Sequence, residues 1–482
     1  MRPPDAASLY DVIPYPGGAF AQTHPDTLAT LGTLFGLEPA PPASCRLLDV
    51  GCGDGGNLLP MALALPAATF VGIDSSGEAI ARARELARTL SVDNASFEEI
   101  AIERYEPAAG AFDYVVAHGV FSWVPEPIRE RLLALCAHAL DRHGVAYVSY
   151  NALPGARVPQ TLRELLLMKL EGIDDPAERI AGARRLLALL SGPNQGATLL
   201  GAEAAAALER SDALLFHDTL APVNDAVLFQ EFAARAAVHG LQYLAEASLL
   251  DMQAGMLPED LQLELLADDD LVRREQVLDY LKVRRFRQTL LCDAAIEIDR
   301  TLRREPLDRL AVSSPAQATV EDPQAPERVT FTVPGGSRLT TEHAPVVTAL
   351  MRAVYNWPEA TPVAQLLDDD ASPEAHEMLH EALLRCAAAN VAQLHVHPPP
   401  LTARAGKRPQ ASPLARLQAR EQPLVTTLRH TTIRVDDELD RRLLTLVDGT
   451  RDREALRDEL GVSEERLDAG LERLARSALL QA

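Results

Sequence analysis

The sequence predicts an α/β protein built on a doubly wound sheet, and two observations carry that expectation. Four apolar runs at 46–51, 69–74, 112–118 and 145–151 read as strands and alternate with amphipathic helical stretches. The first run passes straight into glycines, RLLDVGCGDGGNLL (46–59), as a buried strand does when it stops at a tight turn and restarts as a helix.

In chain order, 57–65 is the helix after the first strand and 76–90 the helix after the second. SFEEIAIERY (96–105) leaves a third strand, FDYVVAH (112–118) is the fourth and VAYVSYN (145–151) the fifth, with a helix at 127–144. From 159 to 211 the pattern turns fully helical, and PQTLRELLLMKLEG is apolar on nearly every side. Asp175, Pro176 and Glu178 are the N-cap, first residue and capping-box partner of a second helix, and a third lies near 202–211. So apolar an insertion is expected to pack as a lid or as the interface of a homodimer. LLFHDTL (214–220), a helix at 224–240 and LQYLAEA (241–247) then resume the alternation of strand and helix. RRFRQTLLCDAA (284–295) is the last strand, the antiparallel one that completes the sheet.

Pro and Ser increase over 296–340 and again over 398–416, which predicts linkers. Three amphipathic helices follow at 436–449, 450–461 and 463–480, with Thr450 and Ser463 as N-caps, in an order that resembles a winged-helix unit. The expected domains are 1–295 with an insertion at 156–212, a middle α/β or mostly helical domain with linkers at 296–415, and a winged-helix-like domain at 416–482.

Composition narrows the function. A chain of 482 residues exceeds one ordinary core. Its net charge of -23, and 14 acidic against 10 basic residues over 421–482, disfavour a nucleic-acid partner and leave protein contact for the C-terminal unit. Five scattered cysteines without a C-x-x-C fit a reducing cytoplasm. The start of the chain has no apolar signal region, and no apolar stretch approaches the roughly 18 residues that span a bilayer, so membrane insertion is not expected. Only Lys169, Lys282 and Lys407 are lysines; GC-rich coding accounts for that, with avoidance of self-modification by a lysine-directed enzyme as the lesser reading.

The ligand of the glycine turn is not fixed by spacing. Gly51, Gly53 and Gly56 fit the dinucleotide pattern, while Asp49, Gly51 and Gly53 fit D-x-G-x-G, and Asp74 at the end of the second strand suits the ribose hydroxyls of either ligand. Asp49 discriminates. A carboxylate there repels a pyrophosphate, whereas S-adenosylmethionine has no phosphate and offers a sulfonium and an ammonium. The turn therefore reads as an S-adenosylmethionine site.

These residues occur in the order of the class I methyltransferases. YDVIPYPGGAFAQTHPD (10–26), AHGVFSWVP (117–125), YVSYNALPG (147–155), VNDAVLFQEFAARAAVHGLQYLAEA (223–247) and LDYLKVRRFRQTLLC (278–292) resemble bacterial methyltransferases that carry a methyltransferase regulatory domain. That group includes rickettsial-type protein-lysine methyltransferases, which modify outer-membrane proteins. The resemblance covers 1–295 and, more weakly, DGTRDREAL (448–456). It implies a Rossmann-like class I core, S-adenosylmethionine as cofactor and, less firmly, a protein lysine as acceptor, with an envelope protein among the candidate substrates. One departure stands out: where class I enzymes commonly place an acid beside the adenine, this chain has Ile100-Ala101-Ile102, so Glu99, Glu103 or backbone groups take that role.

The expected cofactor contacts are Gln22, Thr23 and His24 ahead of the core, and Asp49, Gly51, Cys52, Gly53 and Asn57 on the turn. Asp74, Ser75, Ala101, Ile102 and His118 complete the set. Tyr10 and Tyr15 are expected to fold over the cofactor with them, while Thr23 or Asp26 serves equally well as a helix cap. On the acceptor side, His118 either touches the acceptor or hydrogen-bonds the cofactor or a loop carbonyl. Phe121 and Trp123 wall the cleft, and Tyr150 and Asn151 close the fifth strand beside it. No metal site is expected. The function expected is methyl transfer to protein lysine; methylation of a small molecule, or sensing of S-adenosylmethionine without turnover, remains open.

Overall fold

The computed structural model describes residues 13–482 except 193–197, 256, 321, 323, 335 and 369; Tyr10 lies outside the described residues. The central sheet has seven strands: β1 (Arg46–Val50), β2 (Thr69–Asp74), β3 (Ala95–Glu99), β4 (Phe112–Ala117), β5 (Leu140–Asn151), β6 (Leu241–Glu246) and β7 (Phe286–Asp293). Their spatial order is β3-β2-β1-β4-β5-β7-β6. Pairing is parallel from β3 to β5, and β7 runs antiparallel to both β5 and β6. The order reverses at β1, whose neighbours are β2 and β4, so a crevice opens past the carboxyl ends of β1 and β4.

Helices cover both faces, which is why Leu47, Leu48 and Val50 on consecutive turns of the pleat are all buried. They are α1 (Pro25–Leu34), α2 (Leu58–Ala64), α3 (Gly77–Thr89) and α4 (Glu126–Ala139). Neither Thr23 nor Asp26 caps α1. The Nδ1 of His24 accepts the Asp26 amide at 3.2 Å instead, with Pro25 at the first position, where its missing N–H costs nothing. The helix expected to run to 144 stops at Ala139, and β5 already begins at Leu140.

The insertion forms α5 (Arg157–Lys169), α6 (Pro176–Leu190) and α7 (Leu199–Leu208), and Asp175 accepts the Glu178 amide as the sequence predicts. Leu162, Leu166, Ile180, Ala183, Leu187 and Ala204 pack on one another in a core of their own. The apolar faces thus largely satisfy each other, although Met168, Leu189 and Leu199 stay exposed. The strand expected at 214–220 is a π-helical turn, Leu215–Thr219, because Leu215, Phe216 and Leu220 enter that same helical core rather than a sheet.

The helix after this turn, α8 (Phe229–Val238), is followed by α9 (Glu259–Leu266) and α10 (Leu271–Lys282). Arg287 on β7 is fully buried and paired with Glu246 of β6 and with Glu275 and Asp279 of α10, a charge cluster that binds the antiparallel edge to its covering helix.

The stretch expected as a linker at 296–340 is folded. It supplies β8 (Ala311–Ser313), β9 (Gln317–Val320), β10 (Val329–Thr332) and β11 (Arg338–Thr341), with Pro315, Pro326 and Pro334 in the connections between these short strands. After α11 (Ala344–Tyr355), β12 (Thr361–Pro362), α12 (Pro373–Ala388) and β13 (Gln393–His395), one hydrophobic cluster joins Val312, Phe331 and Leu383 to Leu47 and Tyr147 of the main sheet. Asp26 marks the junction: its carboxylate pairs with His395 Nδ1 at 2.7 Å and accepts the His397 amide at 2.6 Å. His395 Nε2 in turn meets Ser313 Oγ at 2.9 Å.

The C-terminal unit adds α13 (Pro413–Glu421), which begins within the second expected linker, and a hairpin of β14 (Leu424–Thr426) and β15 (Thr432–Arg434). It then closes with α14 (Glu438–Leu446), α15 (Arg453–Leu460) and α16 (Glu464–Arg476). Ser463 caps α16, but α15 is capped by Asp452 rather than Thr450, whose hydroxyl is bonded to Asp448.

Candidate active site

The glycine turn is built by φ angles that only glycine adopts cheaply: +74° at Gly51, +53° at Gly53 and +78° at Gly55. The amides of Gly51 and Cys52 both donate to the Ile73 carbonyl, at 2.8 and 3.1 Å, which fastens the turn to β2. A Cβ on Gly51 would lie 2.6 Å from Val120 Cγ2, whereas one on Gly53 would meet open space. Asp74, the last residue of β2, accepts the Gly53 amide at 3.0 Å and the Ser76 amide at 2.8 Å through different oxygens. Ser75 is exposed on the same loop.

Beneath the turn Asp49 is buried, with Asn57 Nδ2 at 3.5 Å and Asp74 adding negative charge. Burial first, and Asp74 as a lesser cause, push its carboxyl up to about 7. A buried acid of this kind gains from a cation above it and loses from a phosphate, and the open space at Gly53 leaves the approach clear. S-adenosylmethionine fits these residues.

A strap at residues 15–20 crosses the turn. A Cβ on Gly56 would come within 2.9 Å of the Gly18 amide nitrogen, so the two backbones are in contact. Phe20 donates its amide to Asn57 Oδ1 at 3.2 Å and lays its ring 4.0 Å from that of His118. Thr23 Oγ1 lies 2.8 Å from the Phe20 carbonyl and 3.1 Å from Asn57 Oδ1, and Gln22 reaches the Tyr147 hydroxyl. Burial pulls His24 down to about 4.

His118 follows β4 on the opposite wall. Its Nδ1 is 2.9 Å from the Tyr147 hydroxyl, the Phe286 ring stands edge-on at 6.2 Å, and burial pulls the imidazole down to about 4, so it is neutral. Gly119 beside it has φ +68° and donates to Ser149 Oγ at 2.8 Å. Ile100, Ala101 and Ile102 leave β3 half-buried, and Glu99 and Glu103 are exposed.

Two expected wall residues face elsewhere. Phe121 is fully buried against Phe232, and Tyr150 stacks on the same ring at 4.2 Å with its hydroxyl 3.1 Å from Thr289 Oγ1. The alternation of β5 explains this: Tyr147, Ser149 and Asn151 share the face toward the cleft, and Tyr150 takes the other. Trp123 is half-buried at the end of its 3-10 turn. Asn151 donates from Nδ2 to Asn224 Oδ1 at 2.8 Å, Asn224 donates to the Asp218 carbonyl at 2.9 Å, and Tyr15 donates to the Asp218 carboxylate at 3.4 Å. Phe20, Tyr147 and Asp218 escaped the sequence reading. Strict period-two counting along 145–151 selects Tyr147 over Tyr150; no local signal marks Phe20 or Asp218.

Strand order, glycine turn and the two acids together define a class I S-adenosylmethionine-dependent methyltransferase. Residues 47–144 match the family described as "Methyltransferase domain", 211–293 match "Predicted methyltransferase regulatory domain" and 407–473 match "PKMT, C-terminal winged helix domain". An uncharacterized protein of Rickettsia prowazekii is 36% identical over 308 residues, which cover 63% of this chain and 56% of that protein. A second from the same organism is 31% identical over 232 residues, 47% of this chain and 93% of its own. The match thus spans little more than half of the first relative. The structure of PKMT2 from Rickettsia typhi in complex with AdoHcy shares the fold over 97% of this chain and 100% of that one, with a TM-score of 0.84 and 24% identity. The chain belongs to the class I S-adenosylmethionine-dependent methyltransferases. No helix among the described residues is long and apolar enough to cross a membrane.

Proposed function

We propose that this protein methylates lysine side chains of a protein substrate, with envelope proteins as the first to test. The observation that carries the reading is the shared architecture: the likeness to PKMT2 runs through the core, the middle segment and the C-terminal winged helix rather than stopping at the cofactor-binding sheet.

When bound, S-adenosylmethionine supplies a methyl group activated by its sulfonium, open to in-line attack. The protein's task is to present an uncharged amine. A free lysine has a pKa near 10.4, so forming the amine at pH 7 costs about 4–5 kcal/mol. Phe20, the neutral His118 and Phe286 give the cleft a weakly polar wall that disfavours the ammonium. Asn151 leads through Asn224 to the Asp218 backbone carbonyl, and the Asp218 carboxyl, bonded by Tyr15, is held above the ordinary carboxylate range by burial, against the charge of Arg210 and that hydrogen bond. Its carboxylate receives the proton that the ammonium gives up, leaving the lone pair free for the methyl carbon.

The test is incubation of the full chain with isotopically labelled S-adenosylmethionine and host lysate, followed by mass spectrometry of the products. Label on lysine ε-nitrogen supports the proposal. Label confined to a metabolite, or to glutamate or arginine, overturns the lysine assignment.

A further inference from the structure

Asn57 receives a partner from the far end of the chain. The hairpin between β14 and β15 inserts His430, 4% exposed, behind the glycine turn, with its Nε2 2.8 Å from Asn57 Oδ1. The hairpin tip is clamped: the Thr427 amide donates to the Thr431 carbonyl at 2.8 Å, and Arg429 lies over the Trp357 ring at 4.3 Å while bonding Ser313 and the Pro358 carbonyl. Its geometry also holds His430 at φ +57°, a conformation that costs a non-glycine residue energy and persists where its surroundings enforce it.

We propose that His430 is a positioning residue for the cofactor, fixing the Asn57 amide so that its NH2 group faces Asp49, and that the winged-helix domain is therefore a working part of the cofactor site. The Phe20 amide identifies which end of the Asn57 side chain is oxygen, because an N–H must meet an acceptor. Burial keeps the His430 ring neutral, so its single ring proton sits on Nε2, where it can donate to that oxygen. With Oδ1 held by His430 and Phe20, Nδ2 can only point down to Asp49 Oδ2. A donor there favours the ionised carboxylate, the form that attracts a cationic ligand. Asp74 and Cys52 also face Asp49, and His24 faces His430 with ring centroids 5.4 Å apart; none of them supplies the missing donor. The inference needs only the cofactor and holds for any acceptor.

The experiment titrates S-adenosylhomocysteine into the full chain by calorimetry, over pH 6 to 9, for His430→Leu and His430→Gln. A cavity of about 200 Å³ lined by His24, Leu63, Gln410, Thr427, His430 and Gln481 gives either side chain room. Both also bear the same left-handed backbone cost, so their difference isolates the N–H donor. We expect His430→Leu to bind roughly tenfold more weakly and to need a higher pH for half of its full affinity, while His430→Gln stays within roughly threefold of the unaltered protein. Equal affinities for the two variants, whether both tight or both weak, overturn the proposal, as does tighter binding by the Leu variant. If His430→Leu does not fold, His430→Phe against His430→Gln makes the same comparison.

Discussion

The Asp74 carboxylate accepts the Gly53 amide at 3.0 Å, so the acid at the end of β2 grips the turn that begins after β1. Replacing it with Ala should cost the turn this bond and the cofactor its ribose acceptor, about 1.5–3 kcal/mol for bonds to a charged group, or roughly 10- to 100-fold in affinity. Calorimetry with S-adenosylhomocysteine measures it, and unchanged affinity would remove Asp74 from the site.

Asp49 makes a pH-dependent contribution of opposite sign to a salt-bridged acid. Its folded pKa of about 7 lies above the unfolded value near 3.9, so the unfolded chain releases a proton that the folded chain keeps. Stability therefore falls as pH rises from about 4 to about 7 and levels off beyond. Asp49→Asn, unable to ionise, should gain in melting temperature relative to the unaltered protein across that window while losing cofactor affinity. A constant difference between the two melting curves from pH 4 to 7 would contradict the assignment.

Asp218→Asn should slow methyl transfer at neutral pH by roughly a hundredfold, the scale of a positioned base, with cofactor affinity unchanged. The deficit should shrink as pH rises toward the lysine pKa and the amine loses its proton to solvent. Measured kcat/KM against pH decides this, and a loss that is the same at every pH would make Asp218 structural.

Tyr147→Phe and Tyr150→Phe should behave oppositely. The first removes the hydroxyl that pairs with His118 Nδ1 and should lower kcat by roughly tenfold, the loss that about 1.4 kcal/mol of transition-state positioning produces. The second removes a bond to Thr289 in the core and should cost about 1 kcal/mol of stability with little change in kcat. Thermal melts and steady-state kinetics on the same two samples separate them.

The contrast between these tyrosines shows what the sequence made legible. Local signals were dependable: β2 spans the residues read as 69–74, Asp74 ends it, and Asp175 and Ser463 cap their helices. Each of those features is decided by neighbours within a few positions. Face parity on β5 is legible too: the alternation that turns Asn151 toward the cleft turns Tyr150 inward. The run 214–220 was ambiguous in principle, since a short apolar stretch serves a helical core as well as a sheet. The 296–340 segment hid its strands because each is only three or four residues long between turn residues. His430 lay beyond any local reading, since its partner is 373 positions away.

That separation has a consequence for how the protein is made. Asp26 is buried, and the His395 ring and His397 amide that bond it leave the ribosome 369 and 371 positions later. At about 5–20 residues per second, about 20–75 s of synthesis separate the first helix from its partners. During that interval α1 cannot settle against the sheet without stranding a charge, so the nascent sheet keeps one flank open. A chain that stops short of residue 395 therefore either buries Asp26 without these partners or leaves that flank of the sheet open.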